Sequence, residues 1–518
     1  MKTLKVLTVL MCLIFVFTAC KSNNTPVDAN AVEIVLSDNG IKVDGEAVST
    51  KKTDAVYTAN DIIYYEQGKD FTYGEGSEKD AHSADEAAAH TVVHITKAGT
   101  YSLSGKLSQG QIAVDLGEKA KEDKNAVVTL ILNNIDITCT VAPAVIFYNV
   151  YECGDSDAEK ATKDVDTAKA GANVIIAKGT TNTVNGAYVE KIYKPDTIVF
   201  NENKTEVEDA KKLHKYDGAF YSKMSMNING EGTLNINAEN EGLDSELHLT
   251  INGGVININS GNDGINTNED NVSVTTVNGG EVNIVCNGKT GEGDGIDSNG
   301  WLVINGGKVT ASACATSGDA GIDSDKGIHI NGGTVIAGGN MLDRIEDGGQ
   351  TYAVFSFPSR QDGKTPIVLK DKNKKTVAEL KPQNAYQILI YSSPDLKEGS
   401  HTLWAGDKQL AGQKVGSIGG GMRPGNMQPP ADFEGGEMPQ FDGQRPQKPD
   451  GERPQMNGTT PPDFENGENP PEKPQGERPQ NNDQTTQKPD FFMPQSELST
   501  EFKIAKGGNM FSGIILAK

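Results

Sequence analysis

Four short phrases set oxygen-bearing side chains at matching positions along the middle of the chain: E-G-L-D-S at 241–245, D-G-I-N-T at 263–267, D-G-I-D-S at 294–298 and A-G-I-D-S at 320–324. Successive side chains of a strand point to opposite faces. With Leu243, Ile265, Ile296 and Ile322 turned into a core, Asp244, Asn266, Asp297 and Asp323 turn outward, and Ser245, Thr267, Ser298 and Ser324 turn in. Glu246, Asn268, Asn299 and Asp325 form the next outward column. Glu241, Asp263 and Asp294 stand just before the glycine that opens each phrase, with Asp319 one residue further back.

Strands stacked in register lie ~4.8 Å apart. Like charges at that spacing repel by roughly 1 kcal/mol in water, and by about 3 to 4 kcal/mol at an effective dielectric of about 20. A bare carboxylate ladder therefore weakens a sheet. Interspersed asparagine relieves part of the repulsion, and a divalent cation relieves more. Calcium takes about 6 to 8 oxygen ligands from carboxylates, amides and carbonyls, which is the inventory here. No His or Cys stands in the columns, so zinc and copper are poorly served. The expected Ca²⁺ ligands are Asp244, Asp263, Asn266, Asp294, Asp297, Asp323 and Asp325. Glu241, Glu246, Asn268 and Asn299 are the expected contacts to a bound ligand. Asp and Asn also start turns and tolerate left-handed backbone. That plainer role is assigned to the asparagines of the N-G and N-G-G turns at 229, 252, 278, 305 and 331.

The elements that must hold these columns follow from the same repetition. The turn asparagines are spaced 23, 26, 27 and 26 residues apart, in step with the acidic phrases. Each unit reads as three short strands: the G-I-D-S piece, a run ending at N-G-G (Leu247–Ile251, Val272–Val277, Leu302–Ile304, Ile328–Ile330) and a run after it (Val255–Ile258, Val282–Val285, Val309–Ala311, Thr334–Ile336). Hairpins would explain one unit but not the shared period; stacked coils explain both. The expected fold is all-β, a right-handed parallel β-helix with three strands and about 22–31 residues per coil.

The expected organisation runs as follows. Residues 1–20 read as a lipoprotein signal, with Lys2 and Lys5 before an apolar run too short to span a membrane and Cys20 as the lipidation site. Residues 21–90 form a tether and N-terminal cap, and 91–340 the β-helix, with charged insertions at 152–171 and 187–216 read as solvated loops. A β cap follows at 341–420, then a Pro/Gly/Gln-rich disordered segment at 421–497, and returning strands at 498–518. The protein is thus expected to be exported and membrane-anchored through its lipid. Cys139 and Cys286 continue apolar alternations and read as buried thiols, while spacing leaves the disulfide state of Cys139, Cys153, Cys286 and Cys314 open. The net charge of −23 argues against nucleic acid as a partner.

The run A-G-T-Y-S-L-S-G-K-L-S-Q-G-Q-I-A-V-D, followed by V-T-L-I-L-N-N-I-D-I-T, G-T-T-N-T-V and I-N-G-E-G-T-L-N-I-N, resembles a family of bacterial exported carbohydrate-binding proteins. The resemblance covers about residues 90–340, and not the Pro-rich segment or the 187–216 insertion. It implies a polysaccharide-lyase-like β-helix, calcium on aspartates of that helix, and affinity for cellulose and pectin-type acidic polymers such as polygalacturonate. The phrase at 217–222 departs from it, with Phe220 where later repeats place Asp or Asn, so the metal ladder is expected to begin no earlier than the 241 phrase.

Two functional classes compete with a non-catalytic, calcium-dependent polysaccharide-binding surface protein. One is a calcium-dependent pectate-type lyase, which needs a basic residue beside the metal to take the proton α to a uronate carboxyl. Lys223, Lys289, Lys308 and Lys326 are the nearby amines, with Lys326 the weak candidate. The other is a structural or adhesive surface protein using the Pro-rich segment as a spacer. The binding protein is the reading adopted.

Overall fold

The computed structural model describes residues 30–416 and 498–518. The signal, Cys20 and the Pro-rich segment lie outside these residues. Among the described residues the chain is mostly β with large parallel sheets. Its helical content is one α-helix at Ala84–Ala88, closed by a Ser83/Glu86 capping box, and two 3₁₀ turns.

Three ladders carry the repeats. The first stacks Gly218–Ser222, Glu241–Ser245, Ile265–Thr267 and Ile296–Ser298 in parallel, preceded by Thr91–Ile95, Gly110–Asp115 and Val145–Asn149. The second stacks Ala172–Ile176, Met226–Gly230, His248–Ile251, Val274–Val277, Trp301–Ile304 and Gly327–Ile330. The third stacks Thr181–Gly186, Thr233–Ala238, Val255–Ser260, Glu281–Cys286, Lys308–Ser312 and Thr334–Gly339. Their registers keep equivalent residues opposite one another, as in Leu243↔Ile265↔Ile296. These side chains and Ile322 are fully buried in one continuous core.

The turn between the second and third ladders shows why N-G-G recurs. The second glycine is left-handed at each turn (Gly254 φ 88°, Gly280 φ 82°, Gly307 φ 74°, Gly333 φ 78°), a conformation that costs other residues energy. The asparagine before each pair does structural work. Asn252, Asn278, Asn305 and Asn331 each donate Nδ2 to the Oδ1 of the asparagine one unit earlier, at 3.0, 2.9, 2.9 and 2.8 Å.

The first insertion is largely exposed, with a buried anchor, and the second differs from the solvated loop expected of its charge. Thr167 of the first is buried and donates to Asn227 Oδ1 at 2.6 Å, fastening the loop to the second ladder. The second is an antiparallel arm, Val189–Tyr193 against Lys212–Tyr216. Its Val189, Ile192 and Tyr216 are buried within the main core, and these apolar positions outweigh the charges around them. After Gly339 the pairing turns antiparallel, Thr334–Gly339 against Tyr386–Ser392, and a second core forms around Phe355, Phe502 and Phe511. The C-terminal strands join this end: Gly508–Leu516 lies parallel to Tyr352–Gln361, and Phe502–Ile504 antiparallel to Gly399–Ala405. All four described cysteines are free, with Cys139, Cys286 and Cys314 buried.

Candidate metal centre and adjoining cleft

The first ladder brings three carboxylates together. Asp217, Glu241 and Asp244 each offer an oxygen, these atoms lie within 4.8 Å of one another, and all three residues are buried. Asp217 precedes the strand Gly218–Ser222, and Glu241 and Asp244 lie in the next strand of the stack, so the cluster is built across one step of the ladder. Asp217 is missing from the ligand set expected of the sequence; the outward column itself starts at Asp244, with Tyr221 in its place one phrase earlier. Phe220 pairs with Leu243 and belongs to the core, while Tyr221 stands opposite Asp244. The Asp217-Gly218 dipeptide, a counterpart of those at 263 and 294, was the available signal.

The arm covers this cluster. Lys215 Nζ reaches Asp217 Oδ2 at 2.8 Å, and Tyr216 meets the Tyr221 ring edge-on at 5.3 Å between centroids. The open, solvent-facing ladder expected from alternation is therefore closed at this end. Asp244 is 0% exposed and Asn266 7%. Two amides brace the carboxylates: Asn266 Nδ2 donates to Glu241 Oε1 at 3.1 Å and Asn268 Nδ2 to Asp244 Oδ1 at 2.8 Å. Three buried oxygens are left without a hydrogen-bond partner: Glu241 Oε2, Asp244 Oδ2 and Asn266 Oδ1.

Buried polar atoms are almost always satisfied, and one left unmade costs about 1–3 kcal/mol, more when charged. One lysine also faces three carboxylates. Burial, then the Asp217 charge, pushes the Glu241 carboxyl up to about 8. Burial, then Glu241 and Asp217, drives that of Asp244 well above the usual carboxylate range. A hard cation would accept the orphaned oxygens and neutralise the acids together, and a donor set made only of oxygen suits that class. The residues fit such an ion.

The other expected ligands divide into separate roles. Asp263 Oδ1 accepts the Asp294 backbone N–H at 2.7 Å, and Asp294 Oδ1 accepts that of Ala320 at 2.5 Å, so these two brace successive repeats. Asp297 and Asp323 are half-buried further along the ladder, and Asp325 is exposed. Burial, then the neighbouring Asp343, pushes the Asp323 carboxyl up to about 8. Glu246 accepts from Lys212 at 3.0 Å and from the Tyr221 hydroxyl. Asn299 Nδ2 donates to the Asn268 carbonyl at 2.9 Å. Lys326 stands over the Trp301 ring, 5.7 Å from its centroid.

A family model described as carbohydrate-binding domain-containing protein matches residues 89–352, which include all three ladders and the acidic cluster. The chain belongs to this family. Among solved structures, this carbohydrate-binding domain protein is similar to a polysaccharide lyase-like protein from C. thermocellum, determined as a gadolinium derivative. The two are 20% identical, over 59% of this chain and 90% of that one, with a TM-score of 0.35. No curated protein matches the chain.

Proposed function

We propose that the protein is a calcium-dependent, non-catalytic polysaccharide-binding module, built as a right-handed parallel β-helix and held at the cell envelope by a lipid on Cys20. Three parallel ladders joined by short turns support the coil, and membership of the carbohydrate-binding family supports the ligand class. The observation that carries the metal reading is the set of orphaned oxygens on Glu241, Asp244 and Asn266. Asp217, Glu241, Asp244 and the Asn266 carbonyl are the residues that would hold Ca²⁺. Calcium there supplies charge neutralisation and oxygen coordination. Burial of the cluster favours a different use from a cation exposed to sugar along an open ladder. The ion would pin the arm, through Asp217 beside Lys215, to the strand Glu241–Ser245, and so fix the face next to it.

Neither Lys326 nor Lys215 supplies the lyase alternative with a base at the metal. Lys326 sits by Trp301, and Lys215 is paired with Asp217. Burial works to lower the Lys215 amine, but the Asp217 charge and hydrogen bond, with the charges of Glu241 and Glu190, together outweigh it and leave the amine raised, so it stays protonated.

Retention of the chain lacking residues 1–20 on immobilised polygalacturonate and on cellulose, with calcium and with chelator, tests the reading. Retention that falls in chelator, and falls equally in Glu241→Gln/Asp244→Asn, is expected. Retention on neither polymer, or steady release of ultraviolet-absorbing unsaturated uronates, would contradict it.

A further inference from the structure

A cavity of about 380 Å³ adjoins the acidic cluster, with Lys121, Lys212, Lys215, Tyr221 and Lys223 in its lining. The lining sets these four lysines against three glutamates, Glu152, Glu246 and Glu269. Two of them are neutralised locally: Lys212 by Glu246 at 3.0 Å and Lys215 by Asp217 at 2.8 Å. Glu152 is also engaged, its two oxygens accepting the backbone N–H groups of Gly154 and Ser225 at 2.7 Å each. Glu269 stands at the rim, exposed.

Lys121 and Lys223 differ. Among the described residues neither makes an ion pair, though both line the same cavity. Lys223 is half-buried just after the strand Gly218–Ser222, and Lys121 comes from the 3₁₀ turn Glu118–Glu122, which packs beside the first ladder. Burial, then the Lys121 charge, lowers the Lys223 amine from the ordinary lysine range, with Glu246 and Asp115 working the other way. Lys121 is exposed and Lys223 half-buried, and an anion joining the two amines relieves the repulsion between them. Exposed Leu213 at the rim offers apolar surface of the kind a sugar ring covers.

We propose that Lys223 and Lys121 form a carboxylate-binding subsite, which takes a uronate unit of an acidic polysaccharide directly rather than through the metal. The subsite rests on the polysaccharide-binding reading for its ligand class, but not on the cation. The cluster at Asp217, Glu241 and Asp244 stands behind it, across Lys215 and Tyr221, and organises the wall rather than touching the sugar acid.

The test is calorimetric titration of trigalacturonate, and of its full methyl ester, into the chain lacking residues 1–20 in the presence of chelator. Trigalacturonate should bind and the ester should not. Lys223→Met should weaken binding about tenfold, the scale of one charge-assisted hydrogen bond, with a larger loss in Lys223→Met/Lys121→Met. Lys223→Arg should restore most of the affinity, and Lys308→Met, which removes a distant amine paired with Glu281, should leave it unchanged. Unaltered thermal melts of the variants establish that the fold is kept. Equal affinity for acid and ester, or for the wild type and the double variant, overturns the subsite. Binding seen only with calcium also overturns it while leaving the proposed function standing. Lysine-dependent binding in chelator upholds it even if the acidic cluster takes no cation.

Discussion

At the scale of single residues, Glu241 shows what the site costs without an ion. Its carboxyl is pushed up to about 8 by burial and by Asp217, whereas in an unfolded chain it titrates near the ordinary value. Between those two values the folded state holds a proton that the unfolded state has lost, so stability falls as pH rises through that window. The chelated protein should therefore lose stability on the order of a few kcal/mol from pH 5 to 8, seen as a progressively lower melting temperature. Calcium should flatten the profile by favouring the ionised acids. Glu241→Gln should make the profile shallower without calcium, with Asp244 and Asp323 leaving a residual slope, and an unchanged slope in thermal melts would contradict the assignment. A neutral control comes from the core: Ile296→Ala should cost about 2–5 kcal/mol in denaturant unfolding and leave the pH profile unchanged.

The elements decide which residues the sequence could reveal. Alternation along the phrases places Leu243, Ile265, Ile296 and Ile322 inside, because period two is a property of any strand and needs no distant contact. It also places Asp244 and Asn266 on the opposite face. What alternation cannot report is the cover: Asp244 is closed over by an arm from outside its repeat, whose Val189, Ile192 and Tyr216 are scattered among lysines and glutamates. The part played by the 217 phrase is hidden for a related reason. Two aromatics, Phe220 and Tyr221, replace the aliphatic–acid pair of later phrases, and only the pairing with Leu243 and Asp244 shows which is which. The arm carries its own prediction. Tyr216→Ala contributes no metal ligand, yet it should weaken calcium binding and speed proteolysis between residues 194 and 211. Unchanged affinity would mean that the arm is not part of the centre.

Across the whole molecule the repeat sets the stacking, and the ends are handled by different means. The shared period of turn and acidic phrases made the three-strand unit readable, since each unit stacks on its neighbours and must keep their spacing. The end at Thr334–Gly339 would otherwise be an open edge. It is met by an antiparallel strand and a second core to which the last residues of the chain contribute Phe502 and Phe511. Deleting 498–518 should uncover Phe355 and give a protein that scatters light on mild heating while its coils keep their β signal. An unchanged melt would show that the cap closes without its C-terminal strands. The measurement closest to the centre of this account is calorimetric titration of Ca²⁺ into the chain lacking residues 1–20, beside Glu241→Gln/Asp244→Asn. Saturable uptake by the first and none at this site in the second is the predicted result; equal uptake by both would contradict a calcium centre at Asp217, Glu241 and Asp244.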